Sequence, residues 1–472
     1  MSQHFDIVVI GAGPGGYIAA LKAAQLGARA AVVEQGHLGG TCLNVGCIPS
    51  KALLASAELL HKIGRAGELG VSVQGGAAFD WSAIQKRKEM VVSTLRGGVK
   101  TLLDSRNVAL FRGRGAIAGK GKVQVAMADA GGEELTADNT IVAVGSVPSR
   151  IPGWPADPQL VCTSDEAISW PQLPRRLLIV GGGVIGCEFA CMLREYGVEL
   201  TVVEMLPGLL PEMEGQLGRE LERIFAKRGI ACLTGTKVED LAVANGAITA
   251  TVTGGTTLEV DKVLVATGRR PNTADLGLDK VGIETDRGFI RVNDRMQAPV
   301  KGYYCIGDAN GRCLLAHAAS AHGIVAVENA LGHKRSFDLP VPSAVYTFPE
   351  IASVGITTKQ AREKSLPVAV GLYPLRFLGK AMAVGETEGF VKVIRGRDDG
   401  RLLGVHALGH NATEIIAAAV AMLGQKLTAK DAAEMVIAHP TMSEALKDAA
   451  EHSLDMALNL PARKVIRMAV GT

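Results

Sequence analysis

FDIVVIGAGPGGYIAALKAAQLGARAAVVE, residues 5–34, recurs in outline as RLLIVGGGVIGCEFACMLREYGVELTVVE, residues 176–204. Each reads as an apolar strand, a glycine-rich turn, a helix, a second strand and a closing acidic residue. Gly11, Gly13, Gly16 and Glu34 match Gly181, Gly183, Gly186 and Glu204 with the same internal spacing. A single G-x-G-x-x-G is a weak signal, because tight strand–helix turns also occur without a ligand. Two such turns, each completed by a strand, a helix and a carboxylate, predict two dinucleotide-binding units.

Small residues in the first turn let the backbone approach a pyrophosphate, whose charge meets the N-terminal end of a helix expected over 14–26. Glu34, at the end of the second strand, can accept hydrogen bonds from an adenosine ribose. Glu204 stands at the same place in the second unit, where a 2′-phosphate would be repelled. The residues after it, Met205-Leu206-Pro207-Gly208, include no cation. That pattern predicts NAD rather than NADP in the second unit.

At 472 residues the chain is too long for one ordinary core. The segments TIVAVGSVPSR (140–150) and KVLVATGRRPN (262–272) follow the two units as apolar strands ending in Gly, a polar residue and Pro. Such punctuation marks crossings between domains. The expected division is a first dinucleotide-binding domain over 1–147, an NAD-binding domain over 148–270, a central segment over 271–341 completing the first, and a C-terminal domain over 342–472. In that last part, strand-like stretches (VAVGLYPLRF, GFVKVIRG, LLGVHALG) precede or alternate with Ala-rich helical ones, an α+β pattern. The fold class is thus α/β, with two Rossmann-like domains and an α+β C-terminal domain.

Fifty basic against 47 acidic residues leave a charge of +3, and the longest basic run is Lys86-Arg87-Lys88. Nothing there calls for nucleic acid or a charged membrane. No apolar run approaches the ~18 residues needed to span a bilayer, and the N-terminus lacks a leader pattern. A cytoplasmic protein is expected, with most of its eight cysteines as free thiols. Cys187 and Cys191 would share a helix face as core residues.

GGTCLNVGCIPSK (39–51) sets Cys42 and Cys47 apart by four residues. A zinc site normally shows two to four intervening residues and a second pair, and no second pair follows. A structural staple across so short a loop adds only about 2 kcal/mol, and the cytosol would reduce it. A redox role fits better. A helix expected over 49–63 starts beside Cys47, and Lys51 adds positive charge one turn on, so a thiolate there is stabilised. Near the C-terminus, AHPTMSE (438–444) sets His439 on a loop before a helix. There Glu444 either closes a capping box with Thr441 or orients His439 for proton transfer, and His439 is either a proton shuttle or an ordinary surface histidine. Asp308, after the strand in YYCIGDANG (303–311), either caps the next segment or binds a ligand hydroxyl.

Over nearly its whole length the chain resembles the flavin- and NAD(P)-dependent disulfide oxidoreductases, through GGTCLNVGCIPSK, both glycine units, ATGRRPN, GDANG and AHPTMSE. The resemblance implies FAD on the first unit, held by Gly11, Gly13, Gly15, Gly16, Glu34, Gly40, Thr41, Lys51, Gly115, Gly145, Asp308 and Ala316. It implies NAD on the second, at Gly181, Gly183, Val184, Ile185, Gly186, Glu188, Glu204, Val238 and Gly268. Lys51 and Glu188 would form an ion pair near the flavin and nicotinamide; the plain alternative is two unrelated helix-surface charges. The catalytic set would be Cys42, meeting the substrate dithiol, Cys47, touching the flavin, and His439 with Glu444. A homodimer would bring His439 to the disulfide of the other subunit. The pattern further implies oxidation of protein-bound dihydrolipoyl groups carried by lipoyl domains of 2-oxoacid dehydrogenase or glycine cleavage complexes. The alternatives are a glutathione-type or mercuric-type reductase, or a flavin redox sensor without turnover. Two departures from the pattern are Val144, where relatives often carry Thr, and Ile437-Ala438, without a further His.

Overall fold

The computed structural model describes residues 3–126, 131–155, 157–244, 246–461 and 466–468. Its first sheet is built around the strand Gln3–Ile10, which pairs in parallel with Ala30–Glu34 on one side and with Gly132–Val142 on the other. Ile7, Val8 and Val9 are fully buried, as the continuous apolar run of a strand covered on both faces requires. Ala109–Arg112 extends the sheet in parallel beyond Ala30–Glu34. Tyr303–Cys305 joins in parallel beside Thr140–Val142, so a late segment of chain returns to the first unit. The helix Pro14–Gln25 buries Gly15, Gly16, Ala19, Ala20 and Ala23. These small residues admit the helix Ala316–Ala330 so closely that a Cβ on Gly323 would lie 2.7 Å from the carbonyl oxygen of Gly15.

The second sheet repeats the plan with parallel strands Ala231–Thr234, Glu199–Glu204, Arg176–Val180, Lys262–Val265 and Val161–Thr163, in that spatial order. A three-stranded antiparallel layer, Val238–Ala244, Ala247–Val252 and Thr256–Val260, packs against it. The two crossing segments meet: Ser146–Pro148 pairs antiparallel with Arg269–Pro271. The C-terminal region is an antiparallel sheet in the order Ser343–Val345, Glu350–Gly355, Leu402–Gly409, Phe390–Gly396, Val368–Pro374, Ile466–Met468. The helices Ala412–Gly424 and Glu444–Ser453 pack on it through Ile415, Ala419, Leu446 and Ala449.

Two helices bridge the nucleotide units. Cys47–Gly64 belongs to the first and Val184–Glu195 to the second. Lys51 Nζ lies 2.7 Å from Glu188 Oε2 near one end of the pair, and the imidazole of His61 lies 3.2 Å from Glu195 Oε1 near the other. Between them the hydroxyl of Tyr196 donates to the Leu53 carbonyl at 2.8 Å.

Local details differ from the sequence reading in two places. The helix expected from residue 49 begins at Cys47, with Gly46 as its N-cap and no capping side chain, so its start carries no local mark. The capping box, one of the two readings at Thr441, is half formed. The Thr441 N–H donates to Glu444 at 2.8 Å, but its hydroxyl donates to the Ala438 carbonyl and the helix starts only at Glu444. Among the described residues no helix is long and apolar enough to cross a membrane.

Candidate active site

The two glycine turns are near superpositions in their steric demands. Gly11 and Gly181 have φ of +103° and +113°, and a Cβ on either would sit 2.4 Å from a carbonyl oxygen, of Ala143 or Ala266. A Cβ on Gly16 would reach 1.9 Å from the Gly11 oxygen, and one on Gly186 would reach 2.0 Å from that of Gly181. By contrast, a Cβ on Gly13 or Gly183 would meet nothing within 4 Å. Those two are the N-caps of twelve-residue helices and have no capping side chain. Each turn therefore presents bare backbone at a helix N-terminus on its open side, which fits a pyrophosphate. Glu34 and Glu204 close the turns alike: each accepts from a turn N–H at 2.7 Å, Ala12 in one and Gly182 in the other.

The redox loop leans on the first turn. The Gly39 N–H donates to the Ala12 carbonyl at 2.8 Å, and a Cβ on Gly40 would lie 2.7 Å from the Gly13 Cα. Thr41 follows in the short helix Gly40–Asn44, which delivers Cys42. Cys47 is the first residue of its helix, where the exposed N–H groups favour negative charge. Both cysteines are free thiols. The hydrogen bond from the Cys42 S–H, opposed by desolvation and aided by Lys51, lowers the Cys47 thiol to about 7. The same bond, with burial, pushes Cys42 up. When the pair is reduced, its surroundings therefore favour the thiolate on Cys47 and the thiol on Cys42.

Lys51 is tied in two further ways. Its ammonium stands 4.4 Å from the ring centroid of Tyr346, and the Tyr346 N–H donates 2.9 Å to the other oxygen of Glu188. The expected ion pair is therefore present, with its carboxylate buried and Tyr346 as a third member. Asp308 lies in the short turn Gly307–Asn310, and its side chain caps nothing there. It accepts from the Ser146 hydroxyl at 2.5 Å, and that hydroxyl accepts from Arg269 Nε at 2.8 Å.

His439 Nδ1 lies 2.9 Å from Glu444 Oε1, with the imidazole largely exposed and the carboxylate mostly covered. Burial raises the Glu444 pKa, but the Thr441 N–H and His439 outweigh it and hold the group below its ordinary value. Among the described residues the ring's hydrogen-bond partner is Glu444; the fold of one chain does not bond it to Cys42 or Cys47.

The other expected residues are scattered in role. Val184 and Ile185 open the second unit's helix and Ala316 opens the late helix. Gly145 and Gly268, with φ of +67° and +116°, sit at the crossings with open space on their Cβ side. Gly15 and Gly115 are packing positions, where a Cβ would meet Ala319 O at 2.8 Å and Ile10 and Val33 at 3.0 Å. Val238 begins an outer strand at a bulge. Cys187 and Cys191 are buried in the core, and among the described residues no cluster of His, Cys, Asp and Glu could hold a metal ion. Tyr346, Ser146 and Arg269 escaped the sequence reading as site members; Ser146 and Arg269 lie inside the paired crossing motifs, whereas Tyr346 has no motif of its own.

Comparison with known proteins agrees with this geometry. Residues 5–323 match the pyridine nucleotide-disulphide oxidoreductase profile, and residues 341–450 match the dimerisation domain of the same family. The chain is 41% identical over 453 residues to a dihydrolipoyl dehydrogenase of Mycobacterium bovis, covering 94% of this chain and 97% of that one. It is 39% identical over 472 aligned residues to a dihydrolipoyl dehydrogenase of Bacillus subtilis, covering 95% and 98%. Among solved structures, LpdA of Mycobacterium tuberculosis superposes with a TM-score of 0.88 at 29% identity, covering 95% of this chain and 99% of that one. The flavoprotein disulfide reductase RclA of Escherichia coli superposes with a TM-score of 0.84 at 27% identity, covering 94% and 99%. Proteins of this family use FAD and NAD, the pair that the two turns fit. The chain belongs to the pyridine nucleotide-disulphide oxidoreductase family.

Proposed function

We propose that the chain is a homodimeric dihydrolipoyl dehydrogenase, oxidising lipoyl dithiols carried by the lipoyl domains of 2-oxoacid dehydrogenase or glycine cleavage complexes and reducing NAD. The observation that carries this reading is the placement of the thiol pair. Cys42 lies on the short helix Gly40–Asn44 and Cys47 at a helix N-terminus, beside a Lys51 that is paired with Glu188 of the second nucleotide unit. The division into FAD domain, NAD domain, central segment and dimerisation domain is proposed as read from the sequence. The setting is read as cytoplasmic, where cysteines scattered without a motif stay as thiols.

In the oxidised enzyme Cys42 and Cys47 form the disulfide. Glu444 on Nδ1 fixes the tautomer that leaves Nε2 of His439 free to take a proton from one substrate thiol. Across the dimer this histidine serves the cysteines of the other subunit. The substrate thiolate attacks Cys42 Sγ; the Cys42–Cys47 bond breaks and Cys47 leaves as the thiolate its surroundings favour. The second substrate thiol, losing its proton, then attacks the substrate sulfur bound to Cys42; the lipoyl disulfide closes and Cys42 takes up a proton. Bound FAD supplies the two-electron link between this dithiol and NAD. Lys51 and Glu188 hold the two units in register around that link. The net reaction is dithiol plus NAD⁺ to disulfide, NADH and one proton.

The purified yellow protein should form NADH from dihydrolipoamide and discriminate against NADP; no turnover, or NADP preference, would reject the assignment. Cys47→Ser should abolish that activity with FAD still bound. His439→Gln should slow reduction of the enzyme by dihydrolipoamide roughly 10²–10⁴-fold, the usual span for a general acid–base, and a change below about tenfold would leave His439 an ordinary surface residue.

A further inference from the structure

The loop after Glu204, which lies over the second glycine turn, is fastened from outside its own domain. The Leu210 N–H donates 2.9 Å to the Gly182 carbonyl, and a Cβ on Gly182 would lie 2.7 Å from Leu209 Cδ2. Beneath the loop, Gly218 approaches so closely that a Cβ there would lie 2.0 Å from the Leu209 oxygen. Leu210 has φ of +51°, a left-handed conformation that a leucine avoids unless something holds it. The loop's far end is Glu214, which is 2% exposed. Its carboxylate accepts from Lys392 Nζ at 2.8 Å, from the Thr358 N–H at 2.7 Å and from the Thr358 hydroxyl at 2.8 Å. Lys392, itself 6% exposed, makes a second bond to Gln216 at 3.3 Å. Both Thr358 and Lys392 belong to the region matched by the dimerisation profile.

We propose that Lys392 and Thr358, acting through Glu214, are positioning residues for the nicotinamide nucleotide: the C-terminal region holds the loop that shapes the second glycine turn and so sets the affinity for NAD. None of the three belongs to the glycine turn itself. The tether acts on the second turn alone, since Glu214 ends the loop that lies over that turn, whereas the first turn is covered by the helix Ala316–Ala330. The inference rests on the reading of that turn as the NAD site.

The test uses FAD-loaded protein titrated with NADH by calorimetry, with FAD content and the rate of reduction by dihydrolipoamide measured in parallel. Wild-type protein that does not bind NADH would overturn the NAD reading itself, before any variant is compared. Lys392→Met alone would leave a buried carboxylate unpaired, so the informative variant is Glu214→Gln with Lys392→Met, which removes both charges. It should raise the NADH dissociation constant and the KM for NAD about tenfold, a cost in keeping with slight misplacement of a site from a distance. FAD content and the thiol half-reaction should stay within about twofold. Thr358→Val should move NADH affinity the same way by less, and Lys392→Arg should retain most of it. A dissociation constant within about twofold of wild type in the double variant, or equal loss of FAD and NADH binding, would overturn the tether. If the double variant does not fold, Thr358→Val decides: raised dissociation constant supports the tether, and an unchanged one rejects it.

Discussion

Gly11 and Gly181 occupy the same place in two copies of one turn, yet different parts of the molecule cover them. Over the first lies the helix Ala316–Ala330, seated helix against helix on small residues, with Gly15 and Gly323 allowing the approach. Over the second lies an irregular loop whose own backbone is unfavourable at Leu210 and which depends on a buried ion pair with the C-terminal sheet. Glu34 is half-buried and Glu204 is buried, although each makes the same bonds to its turn. A repeated motif therefore repeats only its local geometry. Stability and adjustability of each turn come from what packs above it, and that differs completely.

The same substitution in both turns breaks the comparison most sharply. Gly16→Val and Gly186→Val each drive side-chain atoms onto a carbonyl that a Cβ alone would approach within about 2 Å. The first should yield colourless protein without bound FAD. The second should yield yellow protein that dihydrolipoamide still reduces but that forms no NADH; equal loss of flavin in both would show that the turns are not separate sites. A smaller effect follows from acid. Desolvation favours the protonated form of Glu214, but Lys392 and Thr358 more than offset it and lower the group to about 2. With a folded pKa below the ordinary 4.5, the stabilisation is complete above about pH 5 and disappears as pH falls toward 2, on the order of 3 kcal/mol in all. Glu214→Gln should flatten that part of the stability profile measured by denaturant titration; an unchanged slope would mean that the pair does not carry it. The smallest effect lies between the turns. Lys51→Met should raise the Cys47 thiol from about 7 by roughly one unit, the scale of a single near charge, read by ultraviolet thiolate absorbance; a constant pKa would assign the low value to the Cys42 hydrogen bond alone.

Both nucleotide units were legible because strand, turn, helix and carboxylate lie within thirty residues and obey local steric rules. Cys47 was legible for the same reason, although the unmarked cap at Gly46 hid the helix start by two residues. The crossing segments announced themselves as an echo, but their pairing as Ser146–Pro148 against Arg269–Pro271 is a tertiary fact. Tyr346 on Glu188 and Lys392 on Glu214 join residues 158 and 178 positions apart. No period or spacing encodes such contacts, because burial of a lysine or glutamate depends on which surfaces the finished fold brings together. At Thr441 both readings of Glu444 hold in part: its carboxylate takes the Thr441 N–H and the His439 ring, while the Thr441 hydroxyl donates to the Ala438 carbonyl instead of accepting from the helix.

The two bridging helices, fastened by Lys51 to Glu188 and by His61 to Glu195, behave as a truss pinned at two points. Rotation of one nucleotide unit against the other would have to break both pins and slide Tyr196 off the Leu53 carbonyl. The placement of one glycine turn relative to the other is accordingly set when the chain folds. With both nucleotide sites filled as proposed, the rate of NADH formation should be indifferent to the viscosity of the solvent.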